Sequence, residues 1–265
     1  MYEFNYKKPS SLADAVNALQ EAEDGTLLAG GHTLLPTLKQ RLARPSDLID
    51  ISKIGELRGI TVDGNTVTVG ATTPHAEVEA SDAVRSMIPA LADLAGVIGD
   101  PQVRHRGTIG GSIANNDPAA DYPGAVLGLG ATVITNTREI SADDFFLGLF
   151  ETALAEDEII TAVRFPKPDK ACYMKFAQPA SRFSLVGAFV AKTAGGVRVA
   201  VTGAGQEGVF RVTEMEAALD ANFSADAIAN IAVPDDNLNT DIHGSAEYRA
   251  HLIGVMAKRA IAACG

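Results

Sequence analysis

Residues 29–36 read AGGHTLLP, and residues 108–121 read TIGGSIANNDPAAD. Each stretch places a double glycine and small hydroxyl side chains where a helix is expected to begin. Glycine lets the backbone turn sharply and approach a ligand, and the first N–H groups of a helix lack partners within it. Two such turns that face one point could therefore hold the two negative charges of a diphosphate.

A single double glycine is typical of an ordinary turn, so the interpretation depends on the pair and its flanking residues. No Gly-Lys-Ser/Thr follows the glycines, which excludes a P-loop of the Walker type. No Gly-x-Gly-x-x-Gly opens a helix after a strand, which excludes a Rossmann dinucleotide site.

Both segments resemble the two FAD-binding motifs of the medium, flavin-carrying subunit of molybdenum hydroxylases. That family includes aerobic carbon monoxide dehydrogenase and bacterial xanthine dehydrogenase-like enzymes. The resemblance runs along nearly the whole chain, with His105 standing where many members have Asn. The further segments that carry it are VRHRG (103–107), DEIITAVRFP (157–166), YMKFAQPASRFSLVG (173–187), VRVAVTGAG (197–205) and DIHGSAEYRAH (241–251).

The resemblance implies a set of FAD-contacting residues in both turns and at a few later positions. This set comprises Ala29, Gly30, Gly31, His32, Thr33, Leu34, Thr108, Ile109, Gly110, Gly111, Ser112, Asn116, Asp121, Ile160 and Lys175. The two turns would bind the diphosphate through backbone amides. His32 could donate to a phosphate, but we favour a structural role in closing the turn.

The resemblance implies flavin roles for four other residues, each of which has a simpler alternative. Asp121 would accept hydrogen bonds from ribityl hydroxyls, or be a surface cap of the following helix. Ile109 and Ile160 would pack on the flavin ring, or be plain core. Lys175 would stabilise an anionic reduced flavin, or be a solvated strand lysine. No catalytic residue is predicted.

Composition excludes several classes of protein. The net charge of −11 argues against nucleic-acid binding, which needs clustered Lys and Arg. The two cysteines, Cys172 and Cys264, are too few for a four-cysteine iron–sulfur or zinc site. The histidines His75, His243 and His251 show no metal-ligand spacing and are predicted to be surface or capping groups. Neither a signal peptide nor a membrane span is evident, so we expect a cytoplasmic location.

The pattern of elements predicts an α+β fold of three units, at 1–53, 54–168 and 169–265. The first is a β-α-β unit with a helix capped by Ser10 or Ser11, and the linker PKPD (166–169) precedes the third. One helix is expected from Met87 to Ile98. The third unit reads as an antiparallel meander followed by helices. By resemblance, the first two units form a two-part FAD-binding domain of the vanillyl-alcohol oxidase or PCMH type.

The predicted function is an FAD-carrying electron-transfer subunit of a molybdenum hydroxylase, with aerobic carbon monoxide oxidation as one candidate reaction. The resemblance implies a large molybdenum–pterin subunit and a small iron–sulfur subunit as partners, in a dimer of heterotrimers. The electron acceptor would be a quinone or other respiratory carrier, with NAD as the alternative. A stand-alone flavin oxidoreductase and a non-enzymatic assembly subunit remain alternative functions.

Overall fold

The structure, a computed structural model, describes residues 1–264 and begins with a small parallel sheet. Its strands lie in the order β1-β3-β2, with one helix after each of the first two. The elements are β1 (Asn5–Lys7), α1 (Leu12–Gln20), β2 (Gly25–Leu28), α2 (Leu34–Lys39) and β3 (Asp47–Asp50). Ser11 caps α1 by accepting a hydrogen bond from the amide of Asp14, so the predicted cap and β-α-β unit are confirmed.

The second unit is built on a five-stranded antiparallel sheet in the order β4-β5-β10-β6-β7, with a separate β8–β9 hairpin. Its strands are β4 (Ile60–Asp63), β5 (Thr66–Gly70), β6 (Thr132–Thr135), β7 (Glu139–Ser141), β8 (Phe146–Gly148), β9 (Glu151–Thr152) and β10 (Ile160–Pro166). Its helices are α3 (His75–Ala80), α4 (Asp82–Met87), α5 (Pro89–Gly96), α6 (Pro101–Arg104), α7 (Ile109–Asn115), α8 (Tyr122–Gly128) and α9 (Ala142–Phe145). A short 3₁₀ helix, Gly55–Leu57, precedes the sheet.

The prediction of a single helix from Met87 to Ile98 is wrong. The chain forms α4 and α5 with Ile88 between them, at φ −143° and ψ 72°. Proline crowds the residue before it and disfavours helical dihedrals there. Pro89 therefore ends one helix and supplies the first residue of the next.

The third unit is a four-stranded antiparallel sheet in the order β11-β12-β13-β14, followed by helices, as predicted. The elements are β11 (Lys170–Ala177), β12 (Ser184–Thr193), β13 (Gly196–Thr202), β14 (Phe210–Arg211), α10 (Thr213–Ala221) and α11 (Ala246–Ala263), with a 3₁₀ turn at Ala225–Ile228. The α+β fold class is confirmed. The three sheets fall within the ranges 1–53, 54–168 and 169–265, which we propose as the units of the chain.

Helix α8 joins the second and third units. A Cβ on Gly128 would lie 2.7 Å from the ring of Phe189 on β12, so the small residue allows the helix to pack closely on the sheet. Arg198 of β13 donates to the carbonyl oxygen of Leu127 at 2.8 Å. The largest hydrophobic core accordingly runs from the second sheet through α8 to Phe189 and Tyr173.

Candidate functional site

The first glycine turn presents a row of unpaired backbone donors. Leu35 donates to the carbonyl oxygen of Gly31 at 3.0 Å, which starts α2. Within residues 1–264, none of the amides of residues 30–34 has an acceptor. Gly31 has φ +77°, a left-handed conformation that glycine adopts without strain. Consecutive free amides of this kind form a concave site for an anion.

The structure brings the first turn against the segment that leads into the second. A Cβ on Gly30 would collide with the carbonyl oxygen of Arg106 and lie 3.0 Å from the Cα of Gly107. The two predicted turns, distant in sequence, are therefore neighbours in the fold. Gly30 is required by this close approach of two backbones.

The second turn begins α7, and the amides of residues 109–112 already have partners. Ile109 and Gly110 donate to the carbonyl oxygens of Thr73 and Ala71, at 3.3 and 2.9 Å. Gly111 donates to the hydroxyl of Thr108, which is the helix cap. The Thr108 amide has no acceptor among residues 1–264, and the half-buried Ser112 hydroxyl has no partner there, so these are the donors that this turn leaves for a ligand.

Gly110 is needed for packing within the protein. A Cβ there would lie 2.7 Å from both the Cβ and the carbonyl oxygen of Ala71. The sequence pattern could not separate this requirement from the close approach of a ligand, because both need a residue without a side chain.

His75 is buried, so its predicted place on the surface is wrong. It is 5% exposed, its ring lies 5.2 Å from that of Tyr122, and its Nδ1 has no partner among the described residues. Burial lowers the pKa of His75 to about 4, with smaller contributions from His32 and Arg104. The prediction failed because the amide of His75 donates to the carbonyl oxygen of Gly107, which holds α3 against the second turn.

Asp121 and Lys175 form a buried ion pair together with Tyr173. Tyr173 donates to Oδ1 of Asp121 at 2.5 Å, and Lys175 donates to Oδ2 at 2.9 Å and to the carbonyl oxygen of Val97 at 3.1 Å. The side chains of Asp121 and Lys175 are 5% and 6% exposed. Neither is therefore the surface group that the simpler alternatives described.

Burial has the largest effect on the pKa of Asp121. Burial raises the pKa of the Asp121 carboxyl, while Lys175 and the Tyr173 hydroxyl act in the opposite direction. This contact joins the start of α8 to the middle of β11, close to the second turn. Both Asp121 oxygens are already hydrogen-bonded, but each keeps a further lone pair that can accept from a ligand hydroxyl.

The other predicted positions lie around the same region. Ile109 is fully buried and Ile160 is 6% exposed, and both belong to the core of the second unit. Asn116, at the end of α7, has a left-handed backbone, and its amide donates to the carbonyl oxygens of Gly148 and Glu151 at 2.8 Å. It thereby fixes the β8–β9 hairpin to the end of α7. Ala29 and Leu34 flank the first turn and are half-buried.

A cavity of about 400 Å³ opens beyond the end of α7, between the second and third units. Ser184 and Arg249 are each 3% exposed in its wall, and the Ser184 Oγ and Arg249 Nε have no partner among the described residues. The lining consists of Asp117, Pro118, Ala119, Leu149, Phe150, Gln178, Ser181, Phe183, Ser184, Leu185, Gly203, Asn239, Asp241, His243 and Arg249.

Sequence reasoning did not single out this cavity. Its wall combines residues from the segments 173–187 and 241–251, which carry the family resemblance but have no glycine signature. The C-terminal segment contributes through Arg249, which donates to the carbonyl oxygens of Leu185 and Gly203 and to Asp241. This explains how a motif far from the glycine turns contributes to the same region.

Residues 1–264 contain no cluster of three or more His, Cys, Asp or Glu side chains arranged to hold a metal ion. No helix in the same range combines the length and the apolar character needed to cross a membrane.

Comparison with known proteins gives consistent similarities. Residues 2–168 match the family described as FAD binding domain in molybdopterin dehydrogenase. The chain is 36% identical to the carbon monoxide dehydrogenase medium chain of Hydrogenophaga pseudoflava, covering 97% of this chain and 96% of that one. It is also 36% identical to the nicotine 6-hydroxylase medium subunit of Paenarthrobacter nicotinovorans, covering 98% and 96%.

A solved structure of reconstituted CO dehydrogenase from Oligotropha carboxidovorans superimposes with a TM-score of 0.91 at 32% identity, covering 99% of this chain and 98% of that chain. The similarity thus includes the C-terminal unit as well as the two glycine turns. The chain belongs to the family of FAD-binding domains of molybdopterin dehydrogenases.

Proposed function

We propose that this chain is the FAD-carrying electron-transfer subunit of a molybdenum hydroxylase complex. The observation that carries the proposal is the row of free amides at residues 30–34, in a segment whose residues resemble the family's first FAD motif. Five adjacent N–H groups without acceptors are costly to leave unused unless water or a ligand accepts from them. A diphosphate supplies the missing acceptors.

The described residues fit two parts of FAD, the diphosphate and the isoalloxazine ring. The diphosphate would lie on the first turn, with the Ser112 hydroxyl as a further donor. The ring would enter the cavity beyond α7, which has apolar walls at Phe150 and Phe183 and unpaired polar atoms on Ser184 and Arg249. Ligand sites of this kind combine an apolar slot with a few polar atoms that fix orientation.

FAD supplies the ability to take up electrons one at a time and release them in pairs. The protein's part is to bind and orient it. Local amide dipoles allow a chain of net charge −11 to hold a dianionic group without a lysine cluster. The buried Lys175 would place one positive charge near the ring, where it favours an anionic reduced state. Asp121, fixed by Lys175 and Tyr173, would accept from the ribityl chain.

The names of the relatives, a medium chain of a dehydrogenase and a medium subunit of a hydroxylase, support a complex of several chains. We propose a large molybdenum–pterin subunit, a small iron–sulfur subunit and a dimer of such heterotrimers, in the cytoplasm. Electrons would arrive from the iron–sulfur subunit and leave to a quinone or another respiratory carrier, with NAD as the alternative. The substrate would be oxidised on the large subunit, with carbon monoxide as one candidate.

The test is to isolate this chain under native conditions from its own host, with a tag on this subunit. We expect two co-purifying chains, one FAD for each copy of this chain, and molybdenum and iron in the complex. Carbon monoxide or a nitrogen heterocycle such as nicotine, added without air, should then bleach the flavin absorption of the complex and not that of the isolated chain.

Two results would overturn the proposal in different directions. Oxidation of an organic substrate by the isolated chain would show a stand-alone flavin oxidoreductase. A native complex that contains this chain but no flavin would show an assembly subunit.

A further inference from the structure

The wall of the cavity beyond α7 contains two buried polar atoms without partners. They are Oγ of Ser184 and Nε of Arg249, and each of these side chains is 3% exposed. Neither atom has a hydrogen-bond partner among the described residues. A buried polar atom without a partner costs free energy, so two of them in one wall point to a ligand that supplies the missing partners.

The guanidinium of Arg249 is fixed by its other nitrogens. Its Nη1 donates to the carbonyl oxygens of Leu185 and Gly203, at 2.8 and 2.9 Å, and its Nη2 donates to Asp241 at 2.7 Å. The ion pair with Asp241 balances the positive charge. What remains for a ligand is one N–H donor at Nε, beside the start of β12. An uncharged acceptor such as a carbonyl oxygen fits this donor.

The Ser184 hydroxyl lies close to the hydroxyl of Tyr173. A Cβ on Gly187 would collide with the Tyr173 oxygen and lie 2.9 Å from Ser184 Oγ, so the two hydroxyls converge where glycine has no side chain. Tyr173 donates its only hydroxyl hydrogen to Asp121, at 2.5 Å, so its oxygen can only accept from other groups. A Ser184 hydroxyl that bonds to Tyr173 must therefore donate to it, which leaves Ser184 Oγ as an acceptor.

The wall therefore offers one acceptor and one donor, in a cavity whose apolar lining includes Phe150 and Phe183. The complementary group is an N–H beside a carbonyl oxygen on a flat ring. The isoalloxazine ring of FAD has this arrangement at its imide edge, where the N3–H lies between the carbonyl groups at C2 and C4.

We propose that Ser184 and Arg249 recognise the imide edge of the flavin ring, an inference that rests on the proposed function. Ser184 Oγ accepts from the N3–H, and Arg249 Nε donates to a carbonyl oxygen beside it. Tyr173 fixes the direction of the Ser184 hydroxyl, and Asp121 fixes that of Tyr173. The two side chains are positioning residues, because they set how the ring lies in the cavity.

The experiment compares FAD with 3-methyl-FAD, in which a methyl group replaces the N3 hydrogen and the diphosphate is unchanged. Each flavin is titrated into the full chain or, where that chain binds flavin only within its complex, into the flavin-depleted native complex. We expect the wild type to bind FAD at least about tenfold more tightly than the methyl derivative. Equal affinities would overturn the inference, because another part of the cofactor, such as the adenine edge, would then face the pair.

Ser184→Ala separates the hydrogen bond from the bulk of the methyl group. Without the acceptor, the affinity for FAD should fall about tenfold while that for 3-methyl-FAD changes little, so the preference for FAD should nearly disappear. Ser141→Ala removes an exposed serine hydroxyl of the second unit and should keep the wild-type preference. A Ser184→Ala protein that also keeps this preference would contradict the role of Ser184.

Arg249→Lys tests the donor separately. Lysine keeps the positive charge but has a methylene group in place of the Nε–H, so both flavins should bind several-fold more weakly and the preference for FAD should remain. Circular dichroism checks that the variant folds, and the Ser184→Ala comparison decides the inference if it does not. Unchanged affinity for both flavins would contradict the role of Arg249. Absence of FAD binding from the wild type as well would instead overturn the proposed function.

Discussion

At the scale of single residues, the two glycine turns differ in what their glycines do. Gly30 and Gly31 shape a loop whose amides are free, whereas Gly110 makes room for Ala71. The sequence could predict that both turns matter, because their residue pattern resembles the family motif. It could not predict that amides of the second turn donate to carbonyl oxygens in the segment 71–73, since that segment lies far away in the chain.

Gly30→Ala should weaken FAD binding. The added Cβ would strike the carbonyl oxygen of Arg106 and push the first turn away from the second. We expect the dissociation constant to rise at least about tenfold, which corresponds to about 1.4 kcal/mol. Flavin fluorescence titration of the purified chain measures it.

Gly254→Ala is the matched control for that substitution. Gly254 lies in α11, and a Cβ there would meet nothing within 4 Å. Its FAD affinity should be unchanged and its stability slightly higher, by about 0.5–1 kcal/mol, because alanine favours helix. Unchanged affinity in Gly30→Ala would show that the first turn does not hold the diphosphate.

His75 should make the stability of the chain depend on pH. Its pKa is about 4 in the folded state and 6.5 in an unperturbed one, because burial disfavours the charged ring. The contribution of His75 to the free energy of unfolding is therefore fully present above pH 6.5. It decreases by about 3 kcal/mol as the pH drops toward 4. Urea unfolding of the wild type and of His75→Leu at several pH values measures the slope.

The difference between the two slopes isolates His75, because the other titrating groups are common to both proteins. His75→Leu should lose stability less steeply between pH 6.5 and 4. Parallel slopes would mean that His75 is not buried as a neutral ring.

At the scale of elements, the longer helices and strands followed from sequence patterns, and the short ones did not. The three-stranded meander and α11 have enough residues to show a period. Strands β8, β9 and β14 have two or three residues each, too few for any alternation to be visible. They form because Asn116 and the neighbouring strand β13 supply their partners.

The contact between β11 and α8 should contribute strongly to stability. Lys175→Met would leave the buried Asp121 carboxylate without its cation, at a cost of about 3–5 kcal/mol. The double variant Asp121→Asn with Lys175→Met removes both charges and should recover at least half of that loss. Chemical denaturation of the three proteins gives the comparison.

Lys192→Met serves as the control for removal of a strand lysine. Lys192 lies on β12 and is exposed, so its substitution should change stability by less than about 0.5 kcal/mol. A Lys175→Met protein as stable as this control would show that the ion pair contributes nothing to the junction between the two units.

At the scale of the whole molecule, the proposed site draws its residues from all three of the proposed units. The first turn comes from the N-terminal unit, α7 and Asp121 from the second, and Lys175, Ser184 and Arg249 from the third. Residue patterns in the sequence indicate the contribution of each unit separately. The cavity between the units depends on how their surfaces pack, and sequence periodicity holds no information on that packing.

The central claim is that this chain holds FAD, and the most direct test is an absorbance spectrum of the purified chain after incubation with excess FAD and desalting. The flavin bands in the near ultraviolet and blue lie at longer wavelengths than the absorption of aromatic side chains, so they report the bound cofactor directly. We predict the two-band spectrum of oxidised flavin, at one FAD for each chain. Absence of these bands from both the isolated chain and its native complex would contradict the account.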